Sequence, residues 1–208
     1  MENALFQTLF VPTLTKAQRT QVKIIESTIK CYSSVGIDNT TIDKIAAMSA
    51  TSRPLVLHYF PTREILAENV VKYIRANMQN EAVKAIKSAQ SPKEQIANYI
   101  ESVFQWVQDF DQHLKVWMLF YYYCGINNKF NDLNTKLVSM GHERIQELFK
   151  LYVGTRKVQD KVLAEKAKMA QILITGGMLC CATEKLPLSI KSLSRQTVEM
   201  CLSIAESL

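Results

Sequence analysis

The stretch from Thr40 to Leu66, TTIDKIAAMSATSRPLVLHYFPTREIL, leaves a chain few ways to fold. It reads as two short helices around a tight turn, with a third beginning at once. Thr40 and Thr41 are helix-capping residue types, and an apolar stripe follows at Ile42, Ile45 and Ala46. Met48 to Thr51 is small and polar enough to turn. Ser52 can cap the second helix, where Pro54 fits a first turn whose N–H groups need no partner within the helix.

Counted from Ile42, this unit meets the constraints of a helix-turn-helix. The fifth position is Ala46, where crossing helices need a small side chain. The fourth and fifteenth, Ile45 and Val56, are branched aliphatics able to fill the angle between them. Such a unit offers the outer face of its second helix to a DNA major groove. An ordinary helical corner buried inside an all-α protein satisfies the same pattern, so the flanks have to decide.

Upstream, IIESTIKCYSSVGIDNTT resembles the first-helix pattern of the TetR family of transcriptional regulators. Its marks are Ile24-Ile25, Ser27-Thr28, Cys31-Tyr32, Gly36 and Thr40-Thr41. Downstream, HYFPTREIL is similar to the segment that joins the family's recognition helix to the next helix. The likeness covers residues 19–70 with spacing kept. It has departures: the turn position usually held by Gly is Ala50, the small residue before it is Ser49, a customary Tyr is Leu57, and a customary Lys is Arg63. Ala50 makes any left-handed backbone there costly, and Leu57 puts the family's phosphate contact at that position in doubt.

The resemblance implies an all-α fold of about nine helices: an N-terminal arm (1–15), a helix-turn-helix DNA-binding domain (16–62), and a larger ligand-binding and dimerisation domain (63–208). It also implies partners: a palindromic double-stranded DNA operator, a second copy of the chain, and a small apolar or aromatic effector that releases a repressor. The alternative is a regulator or interaction protein of the same fold, controlled by a protein partner, with weakened or lost DNA binding.

On this reading Thr51, Ser52, Arg53, Leu55, His58 and Tyr59 face the bases. Arg53 is placed to fork onto a guanine and Leu55 to meet a thymine methyl. Thr40, Thr41, Lys44, Thr62 and Arg63 are expected at phosphates, three of them at helix N-termini. Lys16 and Arg19 could also reach a phosphate or the minor groove, or simply be solvated. Charge supports this quarter of the chain. The net charge is +6, and residues 12–63 carry seven Lys or Arg against three acids.

The remainder reads as long helices. Helix one spans about 16–35, with Ile25, Ile29 and Tyr32 inward and Gly36 as a left-handed stop. Helix four turns Leu66, Val70, Tyr73 and Ile74 inward. Ser91-Pro92-Lys93-Glu94 reads as a capping box opening helix five. HLKVWMLFYYYC, residues 113–124, is the most aromatic run. Phe104, Phe110, Trp117, Phe120 and Tyr121 are therefore either core or the lining of an effector pocket, and three successive tyrosines cannot all be buried.

Helix eight, closed by Lys185 and Pro187, keeps two apolar stripes: Val162, Met169, Leu173, Gly176 and Cys180, and Leu163, Ala167, Ala170, Ile174, Gly177 and Cys181. So wide an apolar arc must bury more than one face. With Val198, Cys201, Leu202 and Ala205 of helix nine, the residues Met169, Leu173, Gly176, Gly177 and Cys180 are expected to form a dimer interface. Gly176-Gly177 in mid-helix suggests a close helix approach.

Nothing in the pattern asks for catalysis, a cofactor or a metal. His58, His113 and His142 share no ligand or triad spacing, and no phosphate-cradling glycine loop exists. The five cysteines (31, 124, 180, 181, 201) are an odd count without a secretory signal, which suits reduced thiols in the cytoplasm. The vicinal pair Cys180-Cys181 reads as two small apolar side chains. No run reaches the ~20 apolar residues of a membrane helix.

Overall fold

A computed structural model describes residues 14–184 and 189–208, and among these it contains nine helices and no strand. They are α1 (Lys16–Val35), α2 (Ile42–Met48), α3 (Arg53–Tyr59), α4 (Arg63–Ser88), α5 (Pro92–Asp109), α6 (Asp111–Cys124), α7 (Asn128–Val153), α8 (Asp160–Thr183) and α9 (Ile190–Glu206). The N-terminal arm before Leu14, and the Lys185 and Pro187 expected to close helix eight, lie outside the described residues.

Local chemistry fixes most helix starts. Thr15 caps α1 in a capping box with Gln18. Thr41, Ser52, Ser91 and Ser189 cap α2, α3, α5 and α9 by accepting from backbone N–H groups of the first turn. At α5 the box closes one residue early. Ser91 accepts from Glu94 N, but the Glu94 carboxylate takes the N–H of Gln90 at 2.6 Å. Gly36 ends α1 at φ 81, ψ 167. This is the extended positive-φ region that is essentially glycine-only, not the left-handed helical stop expected from the sequence.

The chain divides into two compact units. The first takes residues up to Asn77 together with Gln112–Phe130. Ile24, Ile25, Ile29 and Tyr32 of α1, Ile45 and Ala46 of α2, Val56 of α3, and Leu66, Val70 and Ile74 of α4 are buried in it. From α6 come Trp117 and Phe120, whose rings lie 5.3 Å apart, and Tyr121, 5.8 Å from Trp117. Polar ties reinforce this. Tyr73 donates to the Glu26 carboxylate, His113 lies 3.7 Å from the same oxygen, and Tyr123 donates to Asp38 at 2.9 Å. Of the three tyrosines, Tyr122 is the exposed one.

The second unit holds residues 78–111 and 131–208, where α5, α8 and α9 pack on one another. Here the two stripes of α8 part company. Leu163, Ala167, Ala170, Ile174 and Gly177 are buried, whereas Val162 is 36% and Met169 50% exposed. The paired glycines part as well. A Cβ on Gly177 would stand 2.8 Å from the Phe104 ring of α5, while one on Gly176 would meet nothing within 4 Å. Only Gly177 is there for a close approach within the chain.

This corrects the expected dimer set. Gly177, Val198, Cys201 and Ala205 are buried in their own protomer, Cys201 deeply enough that its thiol is pushed up to about 12. Met169 is exposed, and Leu173, Gly176, Cys180 and Leu202 are half-buried. The uncovered row on α8 also includes Ile172 and Leu179, and Met200 on α9 is uncovered too; none of these three belongs to the expected set.

Candidate nucleic-acid interface

The corner between α2 and α3 is built by short-range bonds and three buried side chains. Ile45, Ala46 and Val56 occupy the angle, exposed by 1%, 5% and 0%. In the turn, Ser49 donates its hydroxyl to Ile45 O at 2.7 Å and shares a 2.8 Å bond with the Thr51 hydroxyl. Thr51 N closes back onto Ala46 O at 2.9 Å. Ala50 carries the bend at φ +45, the cost that its side chain foretold.

The expected contact residues sort themselves on this frame. Ser52, Arg53 and His58 are exposed on α3, while Thr51, Leu55 and Tyr59 are half-buried. The Thr51 hydroxyl is engaged by Ser49, and the Ser52 hydroxyl caps Leu55 N. Thr41 is exposed and caps α2, and Lys44 Nζ donates to Asn39 O. Thr62 is exposed and accepts from Ile65 N, and Arg63 Nη2 donates to Ile37 O at 2.7 Å.

Thr40 stands apart. It is 1% exposed, and its hydroxyl donates to Gly36 O at 2.8 Å, so it secures the loop after α1 from inside instead of facing a phosphate. One contact was invisible to the sequence reading: Arg53 Nη1 lies 2.6 Å from Asp43 Oδ2, across the turn. The two residues are ten apart, on different helices, so no helical periodicity signals their meeting.

The aromatic residues expected at an effector pocket are divided between the units. Trp117, Phe120 and Tyr121 pack together in the first, and an apolar hole beside Phe120 measures about 10 Å³, no more than one water molecule requires. In the second unit Phe104 and Phe110 each border an open groove. One, of about 570 Å³, runs between α5 and the start of α9. The other, of about 540 Å³, runs between the end of α4 and α5, where Phe110 lies 5.9 Å from Trp106.

His113 is buried, and His142 has its pKa lowered by burial and by Lys168. The Cys180 thiol is raised by a hydrogen bond with Glu184, and that of Cys181 by burial, the reverse of what a reactive thiolate needs. Among the described residues no cluster of His, Cys, Asp and Glu is arranged to hold a metal, and no helix is long and apolar enough to cross a membrane.

Comparison with known proteins meets this corner directly. Residues 24–70, from mid-α1 through the first turns of α4, match the family model described as bacterial regulatory proteins, tetR family. Over these residues the chain carries a segment of the TetR-family type. A 102-residue segment is 29% identical to the HTH-type transcriptional regulator BetI of Pseudomonas fluorescens, 48% of this chain and 51% of that one. The chain thus spans about half the length of the curated relatives it matches.

Solved structures extend the likeness in fold to most of the chain. A transcriptional regulator of Pseudomonas aeruginosa PAO1 superposes with TM-score 0.76 at 17% identity, over 93% of this chain and 91% of that one. AibR in complex with isovaleryl coenzyme A and operator DNA superposes with TM-score 0.64 at 13% identity, over 87% and 97%. At these identities the second unit shares the TetR fold, and nothing is implied about its chemistry.

Proposed function

We propose that this chain is a DNA-binding transcriptional regulator of the TetR family that reads a palindromic operator as a homodimer. The observation that carries the proposal is the exposed face of α3. Ser52, Arg53 and His58 stand outward from a corner whose angle is filled by the buried side chains of Ile45, Ala46 and Val56. Around this face, Thr41, Lys44, Thr62 and Arg63 are exposed at or beside the starts of α2 and α4, where free N–H groups and positive charge favour phosphates. Leu55 and Tyr59, half-buried, supply apolar and hydroxyl contacts at the edge of the same face.

One such corner makes few contacts, so affinity requires two of them on half-sites spaced by about one helical turn or a multiple of it. The second copy is assigned to the uncovered row Met169, Ile172, Gly176 and Leu179 of α8 with Met200 of α9. These are apolar side chains, and an open glycine, that the chain's own fold leaves facing out.

The domain after residue 62 is read as the seat of an effector whose binding favours the state that cannot hold DNA, which makes the protein a repressor. AibR, which shares the fold, was crystallised with both an acyl coenzyme A and operator DNA. Of the aromatic residues, Phe110 is the one assigned to the effector, because it is half-buried beside a groove of a small molecule's size, whereas Phe104, at the other groove, is only 1% exposed.

The deciding experiment is selection of bound sequences from random duplex DNA. The expected outcome is an inverted repeat, with one base pair of each half-site losing its preference in Arg53→Ala. Failure to enrich any sequence would remove the regulatory reading.

A further inference from the structure

The Arg53–Asp43 pair has no structural task of its own. Both side chains are more than half exposed, at 56% and 65%, and a pair so placed contributes little to stability in water. The corner that it spans is already held by Ile45, Ala46 and Val56 and by the bonds of the turn. An acid on this surface carries a penalty besides, because it faces the polyanion that the protein is read as binding. Something must offset that penalty, and the geometry supplies it.

Resting on the DNA-binding reading above, we infer that Asp43 is a specificity-determining residue that fixes the Arg53 guanidinium for one guanine. Asp43 belongs to the first turn of α2, and Arg53 is the first residue of α3. The carboxylate takes one N–H, on Nη1, and leaves four of the five guanidinium donors free. Those four include a two-pronged edge, which is what a guanine's O6 and N7 require.

A free arginine of this length would sample many orientations and could settle on any phosphate within reach. A tethered one gives up the phosphates and keeps the base. Asp43 Oδ1, which takes no part in the pair, can in addition accept from the amino group of a neighbouring cytosine or adenine, and it repels a misplaced phosphate. As water leaves the docked interface the pair strengthens, so the constraint is greatest where discrimination is made.

Asp43→Asn tests this against the operator obtained by selection. The neutral variant keeps the size of the side chain but loses the charge that holds Arg53. The ratio of affinity for the operator to affinity for random duplex is expected to fall about tenfold. Binding to random duplex is expected to stay equal or to tighten, with a steeper salt dependence, because a negative charge has left the interface. Arg53→Lys, which keeps the charge but not the fork, should lose preference at the same base pair, and the double variant should lose no more than either one.

Two results overturn the inference: an unchanged affinity ratio in Asp43→Asn, or operator and random binding falling together with a lowered melting temperature, the mark of a merely structural acid. A wild-type chain that selects no sequence removes the regulator reading and this inference with it. A wild type that selects an operator which Asp43→Asn reads equally well removes the inference alone.

Discussion

The chain leaves two surfaces open, and they differ in kind. At α3 the exposed polar side chains are Ser52 at its cap, Arg53 and His58, which water satisfies. On α8 the uncovered apolar side chains are Val162, Met169, Ile172 and Leu179, 36–61% exposed, which water does not. Apolar surface gains about 25 cal/mol for each Å² removed from water, so a row of this kind favours a lasting cover. A polar, cationic face stands free at little cost and can acquire and lose a partner as salt or competing charge dictates. Permanence belongs to α8 and reversibility to α3.

The sharpest way to break this contrast is to place a charge in the apolar row. Ile172→Lys should turn a dimer into a monomer in light scattering, because an unpaired charge buried in an interface costs about 3–5 kcal/mol. A dimer that persists would mean that the copies meet elsewhere. The paired glycines sharpen the same point. Gly177→Ala drives a methyl into Phe104, itself 1% exposed, and should lower unfolding stability by about 1–3 kcal/mol. Gly176→Ala meets nothing in its own chain and should leave the protomer as stable or up to ~1 kcal/mol more so, while weakening the dimer. Denaturation read at several protein concentrations separates the two effects.

The corner under α3 yields a smaller effect of opposite sign. Ala50→Gly removes the side chain from a residue at φ +45 and should stabilise by about 1 kcal/mol in denaturant titration. The smallest effect is a pH dependence within the first unit. Burial pushes the Glu26 carboxyl up, but the nearby His113 ring, 3.7 Å away, and the hydrogen bond from Tyr73 outweigh it and hold the group below its ordinary 4.5. A depressed carboxyl contributes stability above its unfolded value and loses it as pH falls through the folded one. The loss should therefore begin near pH 4.5 and continue below it, and Glu26→Gln should flatten that limb of the stability curve.

These same places show how far the sequence could be read. The corner was legible because its rules are local. Small Ala46 between Ile45 and Val56, and Ser52 ahead of Pro54, mean the same wherever the rest of the chain goes. The strain at Ala50 was legible for that reason too. Between Thr40 and Thr41 the pattern could not choose, since either can cap; the choice fell to Thr41 because Thr40 had Gly36 O to bond.

What resisted reading was whatever depends on distant partners. Both stripes of α8 were visible in the sequence, but which one is covered is decided by Phe104 on α5, and half of the expected α8 glycine pair was thereby lost to the core. The sequence boundary after residue 62 marks the end of the three-helix segment. It could not foresee that α6 would join the first unit through Glu26, Asp38 and Tyr73, tens of residues upstream. Arg53 and Asp43 met unannounced for the same reason.

A sulfur contact under the corner has a consequence for how the protein ages. The Cys31 thiol lies 3.7 Å from the Met48 thioether, and the two differ sharply in access: Cys31 is 4% exposed with its ionisation suppressed by burial, whereas Met48 is 51% exposed. Peroxide therefore reaches the thioether first, and the sulfoxide it leaves is polar and chiral, seated at the last residue of α2. Oxidative wear at this corner starts on Met48, at the end of α2, and methionine sulfoxide reductase, not a thiol reductant, is what renews it.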